Sequence, residues 1–163
     1  MEGTNLTDKR AMEAAKAALE NIKVMVKRLE HAQECQGDED CELSDADILD
    51  GLQIVGNTAT ADERAEYHDV DAALNAITDD PLSVEVRTDW YTPGEDAKPT
   101  EYRILLATGG PAVQIIGTLN WWGKPETAKL QFQDWFTPWE DLETTSEEEE
   151  VLITYARQFY FGE

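Results

Sequence analysis

Basic residues are scarce in this chain: 13 Lys and Arg stand against 35 Asp and Glu in 163 residues, a formal net charge of −22. Such a balance argues against direct binding to nucleic acid, which depends on cationic side chains neutralising phosphates. Long apolar runs are missing too. Nothing approaches the roughly 20 residues that a membrane span needs, and the opening MEGTNLTDKR leads into a charged amphipathic segment, not the apolar stretch of a signal peptide. The expected location is therefore the cytoplasm, with no membrane partner. Cysteine is limited to Cys35 and Cys41; without a secretory signal, free thiols are expected in preference to a disulfide.

Scarcity of histidine and cysteine also limits chemistry. His31, Cys35, Cys41 and His68 are the only imidazoles and thiols. His31 and Cys35 are four apart and would share a helix face, but no short-spaced cysteine pair completes a zinc set. The thiols sit among carboxylates, which raise a thiol's pKa and blunt it as a nucleophile, and no Ser-His-Asp spacing is recognisable. Carboxylate pairs such as Glu66 and Asp69 could do acid–base work, yet nothing singles out one pair among so many acids. We expect no enzyme, no cofactor, no catalytic residue and no dedicated metal site.

What the chain does have is enough apolar material to fold. With 41% hydrophobic residues, including five Trp, five Tyr and four Phe, it lies outside the composition that gives wholesale disorder. A chain of this length can bury roughly 70% of its unfolded surface. The negative charge, meanwhile, is regional. Residues 1 to 34 carry six acids and six bases, residues 38 to 80 carry fourteen acids against Arg64 alone, and residues 81 to 163 carry fifteen against six.

The densest stretch is CQGDEDCELSDADILD, with Asp38, Glu39, Asp40, Glu42, Asp45, Asp47 and Asp50. Read as an EF-hand from Asp38, it places Leu43 where the loop needs Gly and Leu49 where it needs a bidentate Glu. The calcium reading fails twice.

Periodicity divides the chain. Met12, Ala15, Leu19, Ile22, Val26 and Leu29 make an apolar seam that predicts a helix over residues 8 to 34. The seam suits packing inside a bundle, and homodimerisation through this helix stays open. Ser44 is placed to cap a second helix running through Ile48, Leu49, Leu52 and Val55. Thr60 and Glu63 form a capping-box pair at the start of a third, with Tyr67, Val70, Leu74 and Ile77 as its stripe and Asp62, Glu66 and Asp69 as a ladder beside it.

After Asp79-Asp80-Pro81 the pattern alternates. Leu82, Val84, Val86, Thr88 and Trp90 take one face of a first strand, and Ser83, Glu85, Arg87, Asp89 and Tyr91 take the other. Further strands are expected at Tyr102 to Thr108, Val113 to Trp121 and Ala128 to Phe136. A last helix, Ser146 to Phe159, would be capped by Ser146 and Glu149, with the SEEEE run explained by the positive first turn.

The expected fold is α+β: an acidic segment of three helices (1–80), then a four-stranded antiparallel meander with a closing helix (81–163), forming one unit. The tryptophans near residues 121 to 139 exceed what one strand face hides. Adjacent Trp121 and Trp122 would point to opposite sides of a strand, and Trp122 and Trp139 are candidates for partner contact.

The segment DPLSVEVRTDWYTPGEDAKPTEYRILLATGGPAVQIIGTLN, with QDWFTPW and the ending YARQFYFGE, resembles a group of small acidic proteins carried by bacteriophages, prophages and plasmids. The likeness spans residues 80 to 163. It implies a counter-defence role in the host bacterial cytoplasm, of the anti-CRISPR or anti-restriction type, and transfers no catalytic residue.

Two functional classes follow. In the first, Asp38, Glu39, Asp40, Glu42, Asp45, Asp47, Asp50, Asp62, Glu66 and Asp69 imitate a phosphate backbone and occupy the basic groove of a nucleic-acid-binding protein, such as a CRISPR effector or restriction enzyme. In the second, the acidity is a solubilising or halophilic coat on a structural or interaction protein. A coat should cover every region, and the charge balance of residues 1 to 34 disfavours it.

Overall fold

The computed structural model describes residues 6–35, 43–135 and 137–162. The opening helix, α1 (Leu6–Glu34), is followed by α2 (Asp45–Leu52), α3 (Ala61–Tyr67) and α4 (Val70–Thr78). Strands β1 (Ser83–Arg87), β2 (Glu101–Ala107), β3 (Ala112–Thr118), β4 (Lys129–Gln133) and β5 (Glu140–Asp141) come next, and α5 (Ser146–Ala156) closes the chain. The strands form one antiparallel sheet in sequence order, so the α+β class holds. The helical half has one more helix than expected and the sheet one more strand.

Alternation along the strands builds the core. Tyr102, Ile104, Val113, Ile115, Leu130 and Phe132 are all buried on one face of the sheet, and the register sets Ile104 opposite Ile115 and Ile115 opposite Leu130. Each such side chain contributes roughly 1.5–3 kcal/mol on burial. This face is covered by α1, which packs on β3 and β4 and also touches α2, α4 and α5. One hydrophobic cluster spans α1, α4, the sheet and α5. The helical and sheet halves therefore share a core.

On α1 the buried stripe is Ala11, Ala15, Leu19, Ile22, Met25, Val26, Leu29 and Ala32, while Met12 is exposed. A straight helix turns 3.6 residues per turn, so over this length its stripe drifts from the heptad seam and passes through Ala11 instead of Met12. The seam is occupied within the chain by the sheet and helices.

The expected third helix is two helices. The carboxylate of Asp69 accepts from the Ala72 amide at 3.2 Å and caps α4, which breaks the ladder of Asp62, Glu66 and Asp69 at its last rung. In β1 the regular alternation stops at Arg87, and Leu82, Val86 and Trp90 are exposed. An edge strand beyond the reach of α1 has nothing to cover those side chains. β5 was missed because two carboxylates carry no strand pattern.

The tryptophans correct the reading most. Trp121 and Trp122 occupy a turn held by Asn120, whose Oδ1 accepts from the Trp122 and Lys124 amides at 2.9 and 3.0 Å. Strand alternation does not operate in a turn, and both rings are exposed, as is Trp135. Lys98 Nζ lies 4.1 Å from the centre of the Trp121 ring.

The cap of α5 is Thr145 with Glu148, not Ser146 with Glu149. Two overlapping capping boxes were available, and the tertiary fold selects one because Glu148 also meets Lys23 of α1 at 2.6 Å. That lysine, with the Thr145 amide, holds the Glu148 carboxyl below the ordinary carboxylate range. A depressed folded pKa contributes stability present above the ordinary Glu value and lost as pH falls through the lower, folded one. Urea unfolding of wild type and Lys23→Met across acid pH should show the variant losing part of that acid-side decline. Superimposable pH profiles would show that the pair contributes nothing.

Candidate partner-binding surface

Helices α2 and α3 meet at the C-terminal end of α1, and two arginines join them. The Nη1 of Arg64 donates to the Leu43 carbonyl at 2.9 Å, and its Nη2 pairs with Asp45. Arg28 on α1 is 6% exposed. Its Nη2 and Nε donate to the carbonyls of Glu66 and Tyr67 at 2.8 and 3.4 Å. Those carbonyls belong to the last turn of α3, where the spare acceptor capacity of the final carbonyls and the negative helix end both favour a cation.

Around this joint lies a group of rings. His31, Tyr67 and His68 have centroids 5.1 to 5.9 Å apart. Nδ1 of His68 is 2.8 Å from the Arg64 carbonyl; a carbonyl only accepts, so the proton is on Nδ1. Burial, and then the nearby His68, pushes His31 below its ordinary pKa. Burial, then the negative charge of Asp47, pushes the Tyr67 hydroxyl up. Gly51 of α2 packs against the same Tyr67, since a Cβ there would lie 2.1 Å from Cε2 of the ring. The sequence offered no periodic signal for this joint, because its members come from separate helices at irregular spacings.

The carboxylates divide into two sets. Asp45 is paired with Arg64, Glu63 completes the capping box with the Thr60 amide, Asp69 caps α4, and Asp80 accepts from the Tyr155 hydroxyl at 2.7 Å. These hold the fold. Asp50, Asp62, Glu66 and Asp71 are exposed, and among the described residues none of the four carboxylates has an ion-pair partner. Asp47 is half-buried at the first turn of α2.

Of the remaining candidates, Asp38, Glu39, Asp40 and Glu42 lie outside the described residues. Trp139 is half-buried and lines the outer face of the sheet, so the sheet separates it from α2 and α3. Trp122 is 74% exposed in its turn. No hydrogen bond or ring contact ties it to the acidic helices among the described residues.

Cys35 is disulfide-bonded, which corrects the expectation of a free thiol there. That expectation rested on compartment, and pairing is decided by whether two sulfurs come within bonding geometry. Among the described residues no group of three or more His, Cys, Asp or Glu could hold a metal ion. No described helix is long and apolar enough to cross a membrane.

Comparison with protein-family models, with curated proteins and with solved structures finds no match to this chain.

Arg28→Met should keep the buried aliphatic stem while removing the charged donor from the Tyr67 carbonyl and from the Glu66 carbonyl, which keeps only the Asp69 amide at 3.2 Å. Hydrogen bonds from a charged donor contribute about 1.5–3 kcal/mol, and a loss of that size in urea unfolding, with faster amide exchange confined to α3, is the expected outcome. Unchanged exchange in α3 would remove Arg28 as its anchor.

Proposed function

We propose that this protein is a non-enzymatic acidic inhibitor or adaptor that occupies the basic, nucleic-acid-binding groove of another protein. The observation that carries this reading is the direction taken by the cations near the acidic helices. Arg28 is spent on backbone carbonyls and Arg64 on Leu43 and Asp45, while Asp50, Asp62, Glu66 and Asp71 stay outward and unpaired among the described residues.

Duplex DNA carries about one negative charge per 1.7 Å of axis, and proteins that bind it line their grooves with Lys and Arg. A fixed array of carboxylates on short, mutually braced helices competes for those side chains with little ordering cost, and its long-range field speeds encounter. A counter-defence role on a mobile element, as the resemblance of residues 80 to 163 implies, fits such chemistry. On this reading the target is a CRISPR effector or restriction enzyme, the helical half is target-specific and the sheet half is scaffold. A homodimer, if formed through α1, would use its outward side, since the apolar seam is buried.

The test is capture from bacterial lysate with wild-type protein, washed at graded salt, beside an Asp50→Asn/Asp62→Asn/Glu66→Gln variant. Wild type should recover a nucleic-acid-handling protein that elutes before molar salt. The variant should fold normally and lose at least about tenfold in association rate with that protein. Retention of the partner in molar salt, or equal capture by the variant, would defeat the electrostatic reading.

Circular dichroism melts separate mimicry from a halophilic coat. A coat requires salt for folding, whereas the internal anchoring of Arg28 and Arg64 predicts a cooperative melt at low salt, with an added shift in molar salt no larger than about 1 kcal/mol of stability. Unfolding at low salt would favour the coat.

A further inference from the structure

The face of the sheet turned away from α1 holds a groove of about 480 Å3, within the roughly 300–1,000 Å3 typical of small-molecule sites. In a chain of net charge −22, its lining has Arg87, Arg103 and Lys129 against Glu85 and Glu101. Among these lining residues the cations exceed the carboxylates by one, and Arg87 is committed to Glu101.

Register places the charges. Arg103 and Lys129 both oppose Ile116 on β3, one from each side, so the two side chains flank a short apolar floor. Glu85 engages Nε and Nη2 of Arg103 at 3.2 and 2.8 Å, which leaves the Nη1 donors for a ligand. Lys129 Nζ has a loose pairing with Asp141 at 3.6 Å.

Two residues from Ile116 along the same face, about 7 Å away by strand geometry, is Gln114. It is 4% exposed. A hydrogen-bond relay fixes its amide orientation. A carboxylate only accepts, so Gln131 turns Nε2 to Asp141 at 2.7 Å; its Oε1 then accepts from Gln114 Nε2 at 2.8 Å. What remains is Gln114 Oε1, buried and without a donor among the described residues. An unpaired buried acceptor is costly, and a groove whose lining residue keeps one is suited to a donor. Trp139, which lines the same groove, supplies an aromatic wall.

We infer that this groove binds a small planar aromatic anion carrying an O–H or N–H donor about 7 Å from its carboxylate or phosphate. The anionic group sits over Ile116 between Arg103 and Lys129, the ring lies against Trp139, and the donor pairs with Gln114 Oε1. That oxygen is closed to solvent, so the donor reaches it only as the groove lining shifts, and pairing of the orphan acceptor favours the shifted form. This site is independent of the acidic helices and of the function proposed for them.

Para-hydroxybenzoate, benzoate and uridine monophosphate are the probes, titrated into the full chain with two-dimensional NMR of the Gln114 side-chain amide. Para-hydroxybenzoate should bind about tenfold tighter than benzoate, the discrimination expected of one buried hydrogen bond. Gln114→Leu should abolish that preference while benzoate still binds, and Lys129→Met, at an exposed position that leaves the fold intact, should weaken both benzoates. Uridine monophosphate binding more tightly than para-hydroxybenzoate would assign the anion as phosphate, and the reverse order as carboxylate; either supports the site. If wild type binds benzoate and para-hydroxybenzoate equally, or no probe moves the Gln114 amide by about 10 mM, the inference is wrong.

Discussion

The rest of the structure depends on the burial of one stripe of α1. Its residues Ala11 to Ala32 lie against the inner face of the sheet, α4 and α5. Alanines at positions 11 and 15 let the elements come close, while Leu19, Ile22, Met25, Val26 and Leu29 fill the space between them. A sheet of five strands, two of which are edges and one only two residues long, has too little packing of its own to stand without that cover. Because α1, with α5 beside it, covers one sheet face, that face is closed and the other stays open.

That asymmetry sets where each kind of chemistry sits. At the far end of α1, the guanidinium of Arg28 reaches past the core to the last carbonyls of α3, so the acidic helices are hung from the same helix that covers the sheet. Carboxylates are gathered there, while three of the six cations of residues 81 to 163 line the open sheet face. Each of those three cations is paired, Arg87 with Glu101, Arg103 with Glu85 and Lys129 with Asp141, so the open face is balanced where the acidic helices are not, and a single net charge hides this.

Much of the fold was legible because it rests on local rules. The Ser44 cap, the Thr60 and Glu63 capping box, and three strands within a few residues of their observed limits follow from side-chain hydrogen bonding and from periods of 3.6 and 2. The errors occur where two local rules competed or a tertiary contact intervened. Asp69 could continue a helix face or cap a new helix, and it caps. Thr145 and Ser146 could each begin α5, and Lys23 on a distant helix settles the matter through Glu148. The alternating pattern extends a strand as far as Trp121, yet the Asn120 side chain closes a turn around Trp121 and Trp122. Of the candidate site, the outward Asp50, Asp62 and Glu66 were legible from charge density. The inward roles of Arg28 and Arg64 were not, since a guanidinium's partners are carbonyls that no sequence pattern marks.

The sequence by itself determined the α+β class, the regional separation of charge and the amphipathic stripe of the long helix, because composition and short-range periodicity act within a turn or a strand. Only the tertiary structure decided which carboxylates brace the fold and which face outward, and that Gln114 would be buried with one acceptor unpaired. Those outcomes depend on hydrogen bonds between residues as far as 75 positions apart, and the identity of such partners is set when the chain packs, not by the neighbours each residue has along it.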